Sequence, residues 1–259
     1  MKKLLDMIVA GVQPMGQRYV LLRLTHPQPL PSISPGQFVE VRVDHSPNTF
    51  LRRPISVHHV DEQHNELWLL VAVVGDGTRQ MTSVSPGDVL NCLLPLGHGF
   101  TLPADSSTST LLVGGGVGVA PLLFLGHRLC AQGVKPVFLL GARTASDLPE
   151  ALLSHYQQLG TVLITTEDGT AGERGFVTQH SILTKQKFDI IYTCGPQPMM
   201  RAVARYAAEH QVECEVSLEN KMACGLGACL CCVEKTTEGN VCVCKEGPVL
   251  NIKKLLWQN

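Results

Sequence analysis

The sequence predicts a β plus α/β chain in three parts: an N-terminal antiparallel β-barrel (1–102), a parallel α/β region (103–213) and a small C-terminal cysteine loop (214–259). Three observations predict it. Up to about Phe100, short apolar or alternating runs are separated by turn residues, with no helical period between them, the pattern of a barrel. From Thr110 onward, β-branched runs alternate with helical stretches, which calls for a parallel sheet covered on both faces. Beyond Cys214 the apolar content falls, and six of the ten cysteines crowd between Cys224 and Cys244.

In the first part the strand runs are Tyr19–Leu24, Phe38–Val43 and Leu67–Val74, punctuated by Ser34-Pro35-Gly36, Gly75-Asp76-Gly77 and Ser85-Pro86-Gly87. Pro103 to Ser109 is polar and turn-rich, and serves as a linker. Thr110–Gly114 reads as the first strand of the second part and leads into a helix through about Cys130. Pro136–Gly141, Thr161–Thr165 and Asp189–Cys194 read as further strands, the last followed by a helix from about Pro198 to His210. The third part has too few apolar residues for a core of its own, so a bound metal is expected to organise it.

Composition narrows the function classes. A chain of 259 residues with 44% hydrophobic and 17% charged content can bury two conventional cores and an appendage. With a net charge of −1 and no Lys/Arg run longer than a pair, nothing attracts a phosphate backbone over a broad face, and nucleic acid is excluded as the expected partner. Asp6 interrupts the short apolar start, which makes a poor leader. The longest apolar run, Leu111 to Gly126, is too short to span a membrane and carries four glycines and Pro121 before its last residue. Cys92, Cys130, Cys194 and Cys214 sit singly in apolar surroundings, which fits a reducing cytoplasm.

The cysteines carry the strongest chemical signal. Cys224, Cys229 and Cys232 are separated by four and then two residues, with Cys244 further on, the plant-type spacing of a [2Fe–2S] centre. Gly225, Gly227 and Ala228 let the backbone wrap closely and aim amides at sulfur. A zinc knuckle is the alternative, although zinc sites usually pair their cysteines in two separated couples. Cys231 and Cys242 are surplus. Adjacent side chains in extended backbone point to opposite sides, so Cys231 is expected to face away from Cys232. Either Cys242 or Cys244 could be the fourth ligand; the turn Lys245-Glu246-Gly247-Pro248 favours Cys244.

Two further loops fall where strands should give way to helices. Gly114-Gly115-Gly116-Val117-Gly118 offers a tight bend and helix-start amides to an anionic pyrophosphate, without the usual dinucleotide-fingerprint spacing. Cys194-Gly195-Pro196 follows the last strand, where a ligand at the carboxyl edge of the sheet would face the first loop. In the barrel, Arg53-Pro54-Ile55-Ser56 combines a cation, a rigid turn and a hydroxyl, and Gly75-Asp76-Gly77-Thr78 combines amides with a hydroxyl suited to phosphate. Each loop alone is also ordinary turn structure.

In this order, with Pro95 to Phe100 between them, these motifs resemble the ferredoxin-NADP reductase superfamily. Glu219-Asn-Lys-Met-Ala-Cys-Gly-Leu-Gly-Ala-Cys229 narrows the resemblance to the electron-transfer subunits of NAD-dependent dihydroorotate dehydrogenase B, the PyrK family. It covers nearly the whole chain. The resemblance implies FAD bound by Arg53, Pro54, Ile55 and Ser56, by Leu70, Val71 and Ala72, and by Gly77 and Thr78. It also implies a [2Fe–2S] cluster on Cys224, Cys229, Cys232 and Cys244, and NAD as exchangeable cosubstrate. Ile55 stands where the superfamily usually has tyrosine, and Cys231 where the close family usually has glycine.

The resemblance further implies a cytoplasmic heterotetramer, two of this chain with two of an FMN-containing catalytic subunit that oxidises dihydroorotate in pyrimidine synthesis. Hydride exchange moves two electrons and an iron–sulfur centre takes one, so a flavin must stand between them. No side-chain nucleophile or catalytic acid is expected here; His98 reads as a capping or solvent-facing residue. Arg143 could meet a 2′-phosphate, but the family favours NAD. The alternative reading is a flavin and iron–sulfur reductase subunit serving another acceptor, such as a ferredoxin, sulfur or hydrogenase partner.

Overall fold

The structure, a computed structural model, describes residues 1–257. The first part contains β1 (Lys3–Met15), β2 (Tyr19–Thr25), β3 (Phe38–Val41), β4 (Arg53–Asp61), β5 (Glu66–Ala72), α1 (Asp76–Met81) and β6 (Val89–Leu96). The strands close as an antiparallel barrel in the order β1-β2-β5-β4-β3-β6. Alternation decides what fills it: Met7, Val9, Leu22, Leu24, Val39, Val41, Val57, Leu67, Leu69 and Val71 point inward as one apolar cluster.

Three of these six strands, β1, β4 and β6, were not singled out in the sequence. β1 shows an inward–outward pattern only after Met7, because Asp6 and the exposed Leu4 interrupt its first half. The Arg53-Pro54-Ile55-Ser56 stretch, expected as a turn, is the start of β4, with Pro54 opposite Glu40 and Ser56 opposite Phe38. A proline that donates no hydrogen bond and two histidines hid the strand period there.

Past the linker come β7 (Thr110–Gly115), α2 (Ala120–Ala131), β8 (Val137–Ala142), α3 (Glu150–Gln157), β9 (Thr161–Thr166), β10 (Glu173–Arg174), α4 (Ile182–Lys185), β11 (Ile190–Cys194), α5 (Gln197–Glu209) and β12 (Glu213–Ser217). The C-terminal part adds β13 (Val233–Thr236), β14 (Gly239–Cys242), α6 (Val243–Glu246) and β15 (Val249–Asn251). The large sheet runs β10-β9-β8-β7-β11-β12-β15, parallel except for β15, which lies antiparallel to β12. Every position of β7 is buried, as a strand covered on both faces requires.

The 213/214 boundary expected from composition falls at the start of β12. The sheet therefore takes two strands from the C-terminal part, and the cysteine segment borrows its core: Cys232, Val243 and Cys244 pack in one cluster with Phe38, Leu96, Val216, Leu218 and Leu250. Packing on barrel and sheet, rather than a metal alone, gives that segment its shape. α2 joins the barrel to the sheet on the other side, where Phe124 enters the barrel's apolar cluster. Among the described residues no helix is long and apolar enough to cross a membrane.

Candidate functional site: two clefts and a cysteine loop

The chain leaves β7 and β11 side by side, while β8 lies on the far side of β7. This is the point at which strand order reverses, where a parallel sheet opens a crevice at its carboxyl ends. Gly114–Gly118 and Cys194–Pro196 border it. Gly118 is required there: a Cβ would stand 2.4 Å from the Gly195 nitrogen and from the Cys194 carbonyl oxygen. Gly118 and the buried Cys194 thus let the two loops touch, and Gly114 is packed on Val119 and Leu122. Gly115, Gly116 and Pro196 line the cleft itself, a volume of about 530 Å³.

Its other wall holds charged groups. Arg143 and Glu167 line it, together with Arg18, whose guanidinium donates to Asp147 at 2.7 Å. Arg18, Asp147 and Glu167 had no signal in the sequence, because the barrel and two separate loops bring them together.

A second cleft of about 290 Å³ lies between all three parts of the chain. Pro54, Ile55 and Ser56 on β4 and Leu70 and Ala72 on β5 form the barrel wall, with Thr78 at one end. Val117 comes from the first glycine loop and Ala120 from the start of α2, with Ser217 at the end of β12 and Glu219 and Asn220 on the chain leaving it. Three of the nine barrel positions implied by the resemblance do not line the cleft: Val71 turns its side chain into the barrel core, Gly77 is buried, and Arg53 lies over Gly77. A Cβ at Gly77 would lie 2.7 Å from Arg53 Nε, so the guanidinium lies across the loop backbone. Thr78 Oγ1 donates to the Gly75 carbonyl and accepts the amides of Val74 and Gly75; its hydroxyl caps α1.

Glu219 was not expected in this cleft, although it heads the Glu-Asn-Lys-Met-Ala-Cys run. Burial raises its carboxyl above the ordinary range, and its Oε1 lies 3.9 Å from the fully buried Cys194 thiol. Those two side chains link the second cleft to the loop that borders the first.

The cysteine loop folds over β3. Gly225 has φ +65, and a Cβ there would meet Glu40 Cγ and Leu96 Cδ1, both at 2.9 Å. Glu40 is buried, its two carboxyl oxygens have no hydrogen-bond partner, and burial moves it to about 7. Within the loop, backbone amides point at sulfur: Leu226 N–H donates to Cys224 Sγ at 3.3 Å, Gly227 N–H to Cys244 Sγ at 3.1 Å, and Cys244 N–H to Cys232 Sγ at 3.4 Å. Burial pushes the Cys224 thiol up, yet the amides of Leu226, Cys229 and Ala228 outweigh it and bring it down to about 6. Burial and the neighbouring Cys232 push Cys244 up to about 12.

These features test the fit to an iron–sulfur cluster. Amides aimed at three sulfurs stabilise thiolates, and two buried thiols side by side ionise together only against a positive charge. Both conditions suit a cluster. Cys229 and Cys231 are exposed, Cys232 and Cys244 buried; Cys231 and Cys232 lie in a turn rather than in the extended backbone from which opposite facing was expected. Among the described residues no three His, Cys, Asp or Glu side chains converge as for a single metal ion. Between the two candidates for the fourth position, Cys244 Sγ accepts an amide while Cys242 Sγ donates to the Gly227 carbonyl at 3.8 Å.

A closed antiparallel barrel, a parallel nucleotide-type sheet and a cysteine loop on one shared cleft define a pyridine-nucleotide-linked oxidoreductase subunit of the ferredoxin reductase fold. Residues 219–256 match the iron–sulfur cluster binding domain of dihydroorotate dehydrogenase B, and residues 112–205 the oxidoreductase NAD-binding domain. The chain is 39% identical over 228 residues, 86% of each chain, to the electron transfer subunit of dihydroorotate dehydrogenase B (NAD(+)) of Bacillus mycoides (strain KBAB4). It is 38% identical, again over 86% of each, to that of Shouchella clausii (strain KSM-K16). Among solved structures, a chain of the NADH-dependent reduced ferredoxin-NADP oxidoreductase superposes with a TM-score of 0.86 at 27% identity, over 97% of this chain and 90% of that one. The chain belongs to the family of dihydroorotate dehydrogenase B electron transfer subunits. The iron–sulfur reading of the cysteine loop, rather than zinc, agrees with that membership.

Proposed function

We propose that this chain carries electrons between the FMN of a separate dihydroorotate-oxidising subunit and NAD, by way of a [2Fe–2S] cluster on Cys224, Cys229, Cys232 and Cys244 and an FAD in the three-walled cleft. The observation that supports it best is the cleft itself: barrel, glycine loop and the chain leading to the cysteines each form one wall. Bound FAD would supply the change between two-electron exchange with a nicotinamide and one-electron exchange with the cluster.

The residues have separable tasks. Ile55, Leu70 and Ala72 give an apolar wall that excludes water from a flavin ring, and Ser56 offers a hydroxyl to a heterocycle edge. Arg53 lies across Gly77, close to where a flavin pyrophosphate would run. Gly115, Gly116 and Pro196 shape the cleft for NAD, and the Gly118–Gly195 contact holds its two loops together. Glu219 lines the flavin cleft beside the buried Cys194, and burial raises both groups, which disfavours charge at that end of the cleft. No acid or base is required of His98, whose amide donates to the Gly247 carbonyl.

The assembly proposed is two of this chain with two catalytic subunits in the cytoplasm, serving pyrimidine synthesis; ten free cysteines suit a reducing compartment. Gentle anaerobic co-purification tests the whole reading. The sample should contain about two irons and one FAD per chain, bleach with NADH, and carry an FMN protein with dihydroorotate activity. Substituting Cys224→Ser should remove the iron and leave most of the FAD; unchanged iron would sink the ligand assignment. The superposition on a ferredoxin-linked oxidoreductase favours a second reading, a reductase for another acceptor, and activity with ferredoxin but none with dihydroorotate would decide for it.

A further inference from the structure

Cys242 is surplus to the four thiols assigned to the cluster, yet it is tied to them through a single residue, Gly227, whose φ and ψ couple its amide to its carbonyl. Its Sγ donates to the Gly227 carbonyl at 3.8 Å, while the Gly227 amide donates to Cys244 Sγ at 3.1 Å. The Gly227 residue is thereby gripped on its oxygen by one cysteine and aims its nitrogen at another. Its φ of +78 is one that glycine adopts freely, and a residue with that freedom keeps one orientation through the contacts made by its two ends.

Neighbouring contacts fix the thiol that does the gripping. The Cys242 amide donates to Glu246 Oε2 at 2.8 Å, and Lys245 pairs with the other oxygen of Glu246 at 3.6 Å. The Lys245 stem lies over Gly227, 3.2 Å from where a Cβ would stand. Between Cys242 and Cys244, Val243 is fully buried and anchors the segment in the core. The two thiols on either side of that anchor reach the nitrogen and the carbonyl oxygen of one glycine.

We infer that Cys242 is a positioning residue: it holds the Gly227 amide on Cys244 Sγ and so tunes the cluster without ligating it. The inference rests on the reading that Cys244 is the fourth ligand. Hydrogen bonds to cluster sulfurs stabilise the more negative reduced state and raise its potential. Releasing the Gly227 carbonyl lets that amide swing away from Cys244, which lowers the potential while leaving all four thiolates in place.

The test compares Cys242→Ala and Cys242→Ser in the FAD- and iron-loaded protein, reading iron per chain, FAD per chain, the cluster midpoint potential, and the exchangeable-proton couplings of the reduced cluster by electron-nuclear double resonance. Both variants should keep iron and FAD. The alanine variant should shift the midpoint downward and lose one exchangeable coupling, and serine, which retains a donor for the carbonyl, should restore both. An alanine variant with unchanged midpoint and couplings overturns the inference while the ligand assignment stands. Loss of iron in both variants makes Cys242 a ligand and overturns both readings. If the alanine variant does not fold, Cys242→Val, which fills the same space without a donor, takes its place: it should show the same downward shift and lost coupling, and an unmoved midpoint overturns the inference.

Discussion

Gly118 shows how one absent side chain sets a function. Its Cβ would stand 2.4 Å from the Gly195 nitrogen, well inside contact distance, so any larger residue separates the loops after β7 and β11. Gly118→Ala should therefore raise the KM for NADH about tenfold, a loss of ~1.4 kcal/mol of binding, with iron and FAD contents unchanged. Steady-state kinetics with an artificial acceptor would check it, and an unaltered KM would count against the cleft as the NAD site. The glycine itself was plain in the sequence; the reason for it was not. Its neighbour in space, Gly195, lies 77 positions later, and only the pairing of β7 with β11 brings the two loops into contact.

At the level of elements, the seam between β4, α2 and α3 carries four histidines. His58 on β4 is fully buried; its Nδ1 donates to the Ala120 carbonyl at 2.8 Å, and its Nε2 has no partner. His59 stacks 4.1 Å from His127 of α2, and His155 of α3 lies 6.3 Å from His58. Burial lowers all four, His58 to about 3 and His59 to about 4, with the other imidazoles and Arg128 opposing a charge and Asp61 favouring one on His59. These rings are neutral in the fold and ordinary in the unfolded chain. Their contribution is thus complete above about pH 6.5 and is lost progressively as pH falls toward 4. Denaturant titrations should show roughly 2 kcal/mol less stability at pH 5 than at pH 7.5 from His58 alone, and a His58→Gln variant should flatten the profile. An equally steep profile in the variant would show that other groups cause it. Periodicity gave no warning of this seam, since histidine fits no apolar pattern and the four come from three elements.

At the scale of the molecule, the C-terminal segment is built into the rest of the chain. β12 and β15 complete the large sheet, and Cys232, Val243 and Cys244 share a core with Phe38 of the barrel. Iron-free protein should therefore keep the amides of 213–217 protected in hydrogen exchange and bind FAD, with faster exchange confined to 224–232. Full exchange of β12 on iron removal would restore the expectation that the metal organises the segment.

The sequence by itself determined the three-part order, the parallel sheet and its two loops, the cysteine spacing and the family, because each depends on residue types at short separations: turn chemistry, strand period and ligand intervals. Tertiary structure alone decided that Val71 faces the barrel core, that Glu219 and Cys194 meet between the clefts, and that Cys244 rather than Cys242 receives an amide. Those outcomes depend on register and on contacts between segments far apart in the chain, which local patterns do not encode. The cysteine loop announces a cluster through its spacing, and its hydrogen bonds exist only because β14 and α6 bring Cys242 and Cys244 back onto Gly227.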